Sequence, residues 1–356
     1  MENLFSEIDK CLQKGQRTVL ARIIRQVGSA PRTTGTKCLI LEDGTLKGTI
    51  GGGRLEYQVL EKAKETFKKG LSCILPMRLT GKEVAQTEML CGGVVDVYLE
   101  PIYPENKVAK DIYHEIAALT AEGGTGVLLT QILEGTPYRH SACRALLKED
   151  GTAFGTLETD PKAGNQELLK FLKTRRTILK ESESGGTPLF VEPIKPEDIL
   201  YLFGAGHIST YVAPLAKMAR FKLVVIDDRE EFAHKKRFPF ADEIIVAPVT
   251  DAFDRIDITA SSYVAIVTRG HIHDRDVLRK ALANPGGYIG MIGSRRKRDI
   301  IYKSLMEEGV TTDQLNRVHC PIGLNIGGET PEEIAISIVA ELIQTRTSQQ
   351  NQPVEE

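Results

Sequence analysis

Residues 199–209, ILYLFGAGHIS, decide the fold of the carboxyl-terminal part of this 356-residue chain. An apolar strand leads directly into Gly204-Ala205-Gly206, and a helix is predicted to begin just after the second glycine. The first glycine permits a tight turn, and the second lets the backbone approach a pyrophosphate at the helix N-terminus. Ser209 takes the place of the third small residue of such a loop.

A nucleotide-binding loop of this kind is followed, about 20 residues later, by an acidic residue that binds a ribose. Asp227, in the stretch VVIDDR, has that spacing at the end of the second predicted strand. We therefore predict that Gly204, Gly206, His207 and Asp227 bind a nucleotide, with His207 facing the phosphates. A nucleotide fold that has lost its ligand is the alternative.

The segments after residue 197 alternate between strands and helices, which is typical of a parallel sheet covered on both faces. The predicted helices cover 208–219, 229–237, 275–283 and 295–308, and a closing helix begins at Pro331. Residues 181–198 are rich in Ser, Gly, Pro and acidic residues and are predicted to be a linker. The fold class is α/β: a mixed α/β domain over 1–190, a Rossmann-like domain over 197–346 and a flexible tail over 347–356.

The amino-terminal domain is predicted to contain a weak internal repeat. Its helices are expected at 2–14, 55–69 and 109–122, with strands at 18–25 and 94–99 and a hairpin over 37–50. Residues 127–157 resemble residues 19–50, and Asp43-Gly44 of the hairpin turn recurs as Asp150-Gly151. The triple glycine that follows the first copy is missing from the second, so it is expected to serve a function of the first copy.

That triple glycine is a candidate anion site. Gly51, Gly52, Gly53 and Arg54 lead into a helix, so backbone N–H groups and a guanidinium could hold a phosphate; a plain tight turn is the alternative. Glu56, in the first helical turn, is expected to act mainly on the helix dipole. Cys91 is followed by two glycines and is sterically open, so it could reach a soft metal such as molybdenum or serve as a buried apolar residue.

Two further groups follow strands of the predicted parallel sheet. His271 and His273, next to Asp274, could bind a metal or could cap a helix with local hydrogen bonds. Ser294 and Arg295 open the helix after another strand, where amides and cations suit a phosphate or an acidic group. A solvated basic face is the alternative for this second group.

Composition limits the partners and the location. The formal net charge is −2, so no overall positive field attracts nucleic acid or an anionic membrane. No apolar run approaches the ~20 residues of a membrane span, and the amino terminus is not a signal peptide. The cysteines form no C-x-x-C pair, which favours reduced thiols and a cytoplasmic location; they are Cys11, Cys38, Cys73, Cys91, Cys143 and Cys320.

Several motifs together resemble the XdhC/CoxI family, the xanthine dehydrogenase accessory proteins. They are GSAPRTTGTKCLILEDGTLKGTIGGGRLE (28–56), CGGVVDVYLEP (91–101), YLFGAGHIS (201–209), VVIDDR (224–229), YIGMIGSRRK (288–297) and PIGLNIGGETPEEIAISIVAEL (321–342). They occur in the order of the family and span nearly the whole chain. One departure is Thr268-Arg269-Gly270-His271, where many relatives have Thr-His-x-His, and it weakens any role of His271.

The resemblance implies a carrier of a cofactor rather than an enzyme that turns over purine. Members bind molybdenum cofactor (molybdopterin or its dinucleotide form), protect it during sulfuration and deliver it to a xanthine dehydrogenase-type molybdenum hydroxylase. A cysteine desulfurase as further partner and a homodimer are expected. An NAD(P)-dependent oxidoreductase and a nucleotide-sensing interaction protein are the competing hypotheses, because either would use the loop at Gly204 and Asp227.

Overall fold

The computed structural model describes most of the chain and divides it into two compact units. The first unit ends at Pro196, and the second comprises Glu197–Gln350. The described residues are 4–28, 30, 32–78, 93–137, 144–157, 171, 176–180, 186–284 and 286–350. Among them, no helix has both the length and the apolar character that a membrane crossing requires.

The first unit is built from two five-stranded antiparallel sheets. Its helices are α1 (Leu4–Gln13), α2 (Gly53–Lys69) and α3 (Lys107–Ala121). The first sheet contains β1 (Thr18–Val27), β2 (Lys37–Leu41), β3 (Leu46–Gly48), β4 (Cys73–Arg78) and β5 (Val94–Ile102). The second contains β6 (Gly126–Gln131), β7 (Arg144–Lys148), β8 (Ala153–Gly155), β9 (Ile178–Lys180) and β10 (Leu189–Ile194).

The two sheets share one topology. Their strand orders are β3-β2-β1-β5-β4 and β8-β7-β6-β10-β9, so each strand of the second sheet corresponds to the strand five places earlier. The hairpin turns also correspond, because the side chains of Asp43 and Asp150 each accept a 2.8 Å hydrogen bond from the N–H two residues later. Strands β1 to β3 and β6 to β8 are the segments in which the sequence predicts a repeat.

An apolar core joins the two sheets and the helices α1 and α3. Leu20 and Leu39 of the first sheet are fully buried in one cluster with Leu128 and Leu146 of the second. Ile8 of α1 lies in the same cluster. Burial of these aliphatic side chains from both sheets stabilises the pairing of the two halves.

A network of buried charges crosses this core. The guanidinium of Arg22 donates to Glu100 at 2.9 Å and to Glu192 at 2.6 Å. Lys37 donates to Glu192 at 2.7 Å, and Arg144 forms an ion pair with Glu100. Arg22, Glu100, Glu192 and Arg144 are all at most 1% exposed. Because buried ions lose their hydration, each depends on its partners for stability.

The same network follows the internal correspondence of the two sheets. Lys37 of β2 lies opposite Arg22 of β1. In the same way, Arg144 of β7 lies opposite Thr130 of β6, so Lys37 and Arg144 are equivalent positions. Glu100 and Glu192 are equivalent in the same way, opposite Leu20 and Leu128 respectively. The cation of each half binds the carboxylate of the other half. Exchanged ion pairs therefore connect the two halves at their centre.

Strand β10 corrects the sequence prediction of a linker over 181–198. Leu189–Ile194 is paired on both sides, with β6 and with β9, and the first unit extends beyond residue 190 to Pro196. The flanking prolines and Glu192 made this stretch resemble a loop. Glu192 is tolerated in a strand interior because Arg22 and Lys37, more than 150 residues earlier, neutralise it.

The second unit is an α/β domain with a six-stranded parallel sheet, and the predicted fold class is confirmed. Its strands are β11 (Ile199–Phe203), β12 (Lys222–Asp227), β13 (Glu243–Val246), β14 (Ser262–Ile266), β15 (Tyr288–Met291) and β16 (Val318–His319). Its helices are α4 (His207–Met218), α5 (His271–Leu282), α6 (Arg295–Glu307), α7 (Thr312–Asn316) and α8 (Pro331–Gln350), with a 3-10 helix at Asp251–Arg255.

The strand order of this sheet is β13-β12-β11-β14-β15-β16, the doubly wound order in which connections reverse direction between β11 and β14. One apolar cluster covers each face of the sheet. Ligands of such sheets bind beyond the carboxyl ends of the strands at this reversal. The topology thus predicts a ligand site at the loops after β11, β12, β14 and β15.

Two local predictions in this unit are wrong. Residues 229–237 form successive turns instead of a helix. Arg237 packs on the ring of Phe232, and at about 100° per residue these two side chains would lie about 140° apart on a helix. The closing helix continues to Gln350, so residues 347–350 of the predicted tail are helical; residues 351–356 lie outside the described part.

Loss of the Arg22 guanidinium is expected to destabilise the first unit strongly. Arg22→Ala leaves Glu100 with one partner fewer and Glu192 with Lys37 alone, and breaking a buried ion pair in this way costs about 3–5 kcal/mol. Urea denaturation measures the change. Lys64→Ala, which removes an exposed pair with Glu61, is the control and should leave the midpoint unchanged. Equal midpoints for both variants would show that the network contributes nothing.

The stability contributed by Glu192 should depend on pH. Burial raises the pKa of Glu192, but Lys37 and Arg22 outweigh it and hold that pKa below its usual range. Its contribution is therefore present above the unfolded pKa of about 4.3 and is lost as the pH falls further. Glu192→Gln should be less stable than wild type at pH 7, and the gap should shrink below about pH 4. Urea midpoints measured across that range test this, and a constant gap would contradict it.

Candidate functional site

The first glycine of the phosphate loop is required by close packing. Gly204 has φ 105°, and its N–H donates to the carbonyl of Ile226 at 2.7 Å. A Cβ at this position would overlap the Val267 carbonyl and lie 2.9 Å from the Cα of Thr268. The chain leaving β11 therefore passes tightly beside the end of β14, and only glycine permits this.

The second glycine leaves open space instead. A Cβ on Gly206 would meet no described atom within 4 Å, and α4 begins at the next residue without a side-chain cap among the described residues. Ser209 is buried, and its hydroxyl donates to the Gly204 carbonyl at 2.6 Å, which stabilises the turn from within. The backbone at Gly206, where α4 begins, is thus open to an approaching group, as phosphate binding at a helix N-terminus requires.

His207 is the first residue of α4 and is exposed. Its ring lies edge-on to that of Tyr211, with centroids 5.3 Å apart. It stands beside the loop on the side of the helix that carries Tyr211.

Asp227 is already engaged within the protein. One carboxylate oxygen accepts the N–H of Ala205 in the phosphate loop at 2.7 Å, and the carboxylate as a whole receives a bidentate pair from Arg229 at 2.8 and 2.9 Å. Burial raises the pKa of Asp227, but these hydrogen bonds outweigh it and lower that pKa below its ordinary value. A ribose hydroxyl would have to compete with Arg229 for this carboxylate.

Two guanidinium groups that were not selected from the sequence lie beside the loop. Arg229 packs over the ring of Phe232 at 3.8 Å, and Arg237 lies 4.8 Å from the same ring. Arg237 also donates to the carbonyl of Ala205 at 3.2 Å. Their positions depend on the turns of 229–237, for which the sequence predicts a helix, so the sequence pattern could not place them.

A surface ion pair reaches across the end of β11. Asp228 comes directly after β12, and Arg269 lies in the loop after β14. Their side chains approach to 3.4 Å. Because β11 lies between these strands, the pair passes over the carboxyl end of the strand that carries the loop. Exposed pairs of this type contribute little, so a ligand could open it at small cost.

The loops after β14 and β15 form a cavity of about 430 Å³. It is lined by Gly270, Ser294, Arg296, Lys297 and Ile300, and α5 and α6 both begin at it. Ser294 caps α6 by accepting the N–H of Lys297 at 3.2 Å. Of the two residues selected here from sequence, Ser294 lines the cavity, whereas Arg295 is exposed and is not among its lining residues.

Asp274 of the His-x-His-Asp segment makes structural contacts. It is fully buried, accepts the Thr268 hydroxyl at 2.5 Å and forms an ion pair with Lys297. His273 is half-buried in the first turn of α5. Among the described residues, no group of three His, Cys, Asp or Glu side chains is arranged to hold a metal.

The triple-glycine loop of the first unit contains its own anion. The Glu56 carboxylate accepts the Thr49 hydroxyl at 2.6 Å and the Ile50 N–H at 3.2 Å. Burial raises the pKa of Glu56, but these bonds and others from the Gly51 and Gly52 amides lower it overall. An external phosphate would therefore have to displace Glu56 from these amides.

Of the remaining candidate residues of the first unit, the structure describes the glycines and Arg54 but not Cys91. Gly52 and Gly53 have φ values of 77° and 55°, and α2 begins at Gly53 with Arg54 in its first turn. Cys91 lies outside the described residues.

Glu341 of α8 holds together a polar cluster that no sequence pattern indicated. It accepts the Tyr288 hydroxyl at 2.5 Å, the Gly323 N–H at 2.7 Å and lies 3.1 Å from Nδ1 of His319. Burial raises the pKa of Glu341, but its hydrogen bonds outweigh this and lower it. The cluster ties α8 to the edge of the sheet, and the four residues are too far apart in sequence to be recognised as a motif.

The two glycines of the phosphate loop should respond differently to a methyl group. Gly204→Ala should lower the melting temperature by several degrees or prevent folding, because its Cβ overlaps the backbone after β14 and φ is positive. Gly206→Ala is the matched control; with φ −74° and open space it should melt close to wild type. Differential scanning calorimetry decides, and equal melting temperatures for the two variants would contradict the packing argument.

Two known proteins resemble this chain over nearly its full length, and a third resembles about two thirds of it. A protein of Bacillus subtilis strain 168, named as a subunit of a probable xanthine dehydrogenase, is 28% identical over 97% of this chain and 98% of its own. A crystal structure described as a xanthine dehydrogenase from Bacillus halodurans has a TM-score of 0.76, with 26% identity over 99% of this chain and 97% of that one. The uncharacterised protein YqeB of Escherichia coli K12 is 31% identical over 67% of this chain, which spans about half of it (47%).

Family models match both units separately. The model described as the XdhC and CoxI family matches residues 11–76, which contain the triple-glycine loop. The model described as the XdhC Rossmann domain matches residues 200–342, which contain the phosphate loop and the cavity between α5 and α6. The chain therefore belongs to the XdhC and CoxI family.

Proposed function

We propose that this protein is an accessory factor of a xanthine dehydrogenase-type molybdenum hydroxylase. It binds molybdenum cofactor, keeps it protected while its terminal sulfur ligand is installed, and passes it to the hydroxylase. Family membership in both units carries this proposal, together with full-length similarity to a relative named as one subunit of a probable xanthine dehydrogenase. The six scattered cysteines offer no pattern for the iron–sulfur clusters of the hydroxylase itself.

The chemistry of the residues suits the anionic parts of the cofactor, which carries a phosphate and, in its extended form, a nucleotide. The phosphate loop offers open N–H groups at Gly206 and α4, with Arg229 and Arg237 close by. In the first unit, Gly51–Arg54 and Cys91 are the proposed contacts to the pterin and its soft metal. When the ligand binds there, it would replace the Glu56 carboxylate as the acceptor of the loop's backbone N–H groups.

The partners follow from the same proposal. The hydroxylase receives the cofactor, a cysteine desulfurase supplies the sulfur, and the protein acts as a cytoplasmic homodimer. An NAD(P)-dependent oxidoreductase remains the competing function, since the phosphate loop would serve it equally well. For NAD in particular, the engagement of Asp227 by Arg229 is unfavourable, because the ribose loses its usual acceptor.

Cofactor binding is testable by purification from a host that makes molybdopterin. The wild-type protein should carry the pterin in near-stoichiometric amounts, measured by fluorescence after oxidation, and should raise the activity of a sulfur-deficient hydroxylase. Cys91→Ala should lower both quantities severalfold. Cys73→Ala, which shortens a half-buried thiol on β4, is the matched control and should change neither.

Two results would contradict parts of this proposal. A protein that carries no pterin and leaves hydroxylase activity unchanged would overturn the accessory function. Pterin binding that is identical in Cys91→Ala and Cys73→Ala would leave the function intact but remove Cys91 from the site.

A further inference from the structure

We propose that the phosphate loop of the second unit binds a nucleotide that carries a 2′-phosphate, in preference to the same nucleotide with a free 2′-hydroxyl. Arg229 and Arg237 are the specificity-determining residues, and Asp227 is a positioning residue for Arg229. If this loop holds such a nucleotide, the molybdenum cofactor is bound by Gly51–Arg54 and Cys91 of the first unit alone, and its delivery to the hydroxylase does not depend on the outcome.

Asp227, the usual ribose acceptor of such a fold, is already occupied by other groups of the protein. In a Rossmann domain, the acid at the end of the second strand binds the ribose hydroxyls of NAD. Here both oxygens of Asp227 are used, by Ala205 of the loop and by Nε and Nη2 of Arg229. Asp227 is only 3% exposed, so a hydroxyl reaching it would have to remove a bidentate guanidinium.

Arg229 occupies the position beside the Asp227 carboxylate. An arginine just beyond the second strand is the residue that accommodates a 2′-phosphate in NADP-binding domains. Arg229 has this position, and its guanidinium donates to the carboxylate of Asp227 through Nε and Nη2 while it packs over the ring of Phe232. Within the described residues, Nη1 of Arg229 has no hydrogen-bond acceptor, so its two N–H groups remain for a ligand.

A second cation reinforces the first. Arg237 packs on the same ring of Phe232 and uses Nη2 to reach the Ala205 carbonyl, which places its guanidinium beside the loop. Two guanidiniums on one aromatic ring repel each other unless an anion lies between or beside them. Asp227 neutralises one of them, and a phosphate dianion would compensate the other.

The local charge agrees with this arrangement. Beyond the ends of β12 and β14, Asp227 and Asp228 pair with Arg229 and Arg269, and Glu231 also acts on Arg229. Arg237 forms no ion pair with the described carboxylates. A ligand that brings a pyrophosphate to the α4 amides and a 2′-phosphate to the two arginines would complete the balance. A neutral hydroxyl at the second position would leave Arg237 uncompensated.

The test compares NADP and NAD, which differ only in the 2′-phosphate, by isothermal titration of the full chain. Wild type should bind NADP about tenfold more tightly than NAD or better, since a hydrogen-bonded charge pair commonly contributes that much. Arg229→Ala and Arg237→Ala should each weaken NADP severalfold or more while changing NAD by less than about threefold. Arg229→Lys, which keeps the charge but loses the fork, should fall between wild type and Arg229→Ala.

Controls separate recognition from folding and from general charge. Arg317→Ala removes an equal charge just before β16, at the opposite edge of the sheet, and should leave the NADP to NAD ratio unchanged. Asp227→Asn should lower the NADP affinity selectively, because Arg229 loses the partner that positions it. Melting curves establish that each variant is folded.

Three outcomes would overturn the inference. NAD binding as tightly as NADP to wild type would mean that ribose displaces Arg229 and that Asp227 is the acceptor after all. An unchanged ratio in Arg229→Ala and Arg237→Ala would place the selectivity elsewhere. Binding of neither nucleotide at millimolar concentration would remove the nucleotide site altogether, without affecting the result of the pterin experiment.

Discussion

The hydrogen bonds of the Asp227 carboxylate connect three parts of the second unit. Asp227 ends β12, accepts an N–H from the phosphate loop after β11 and orients Arg229 in the turns that follow. A charged group can be this deeply buried only when it is fully paired. Loop geometry, the position of the first cation and the loss of the usual ribose acceptor all depend on this one pairing.

The first unit depends on a comparable constraint at a different scale. Its two sheets share a strand order, and at their centre the lysine or arginine of each half neutralises the glutamate of the other. Arg22 has no charged counterpart, since Thr130 occupies the equivalent position, and it bridges both glutamates. The arrangement requires both halves to be present, because either half alone would bury uncompensated charge.

The two glycine-rich loops, which look alike in sequence, differ in their local chemistry. The loop at Gly204 has open space beside Gly206 and two guanidiniums nearby, whereas the amides of Ile50, Gly51 and Gly52 face the carboxylate of Glu56. In the first loop the Ala205 amide binds the Asp227 carboxylate, while the start of α4 has no side-chain cap among the described residues; in the second loop Glu56 binds Thr49 and the Ile50 amide. A protein that holds a cofactor only temporarily would benefit from such a difference, because displacement of Glu56 weakens binding at that loop.

Local pattern was sufficient for much of the prediction. The sequence by itself determined the parallel sheet, the glycine turn after β11, the helix at His207 and the family, because strand periodicity and glycine requirements act over a few residues. Only the tertiary structure decided the roles of β10, Glu192, Arg237 and Glu341. Glu341, Arg237 and Glu192 each form a hydrogen bond with a residue 18, 32 or 170 positions away in sequence, and burial of a charge is favourable or costly according to such partners.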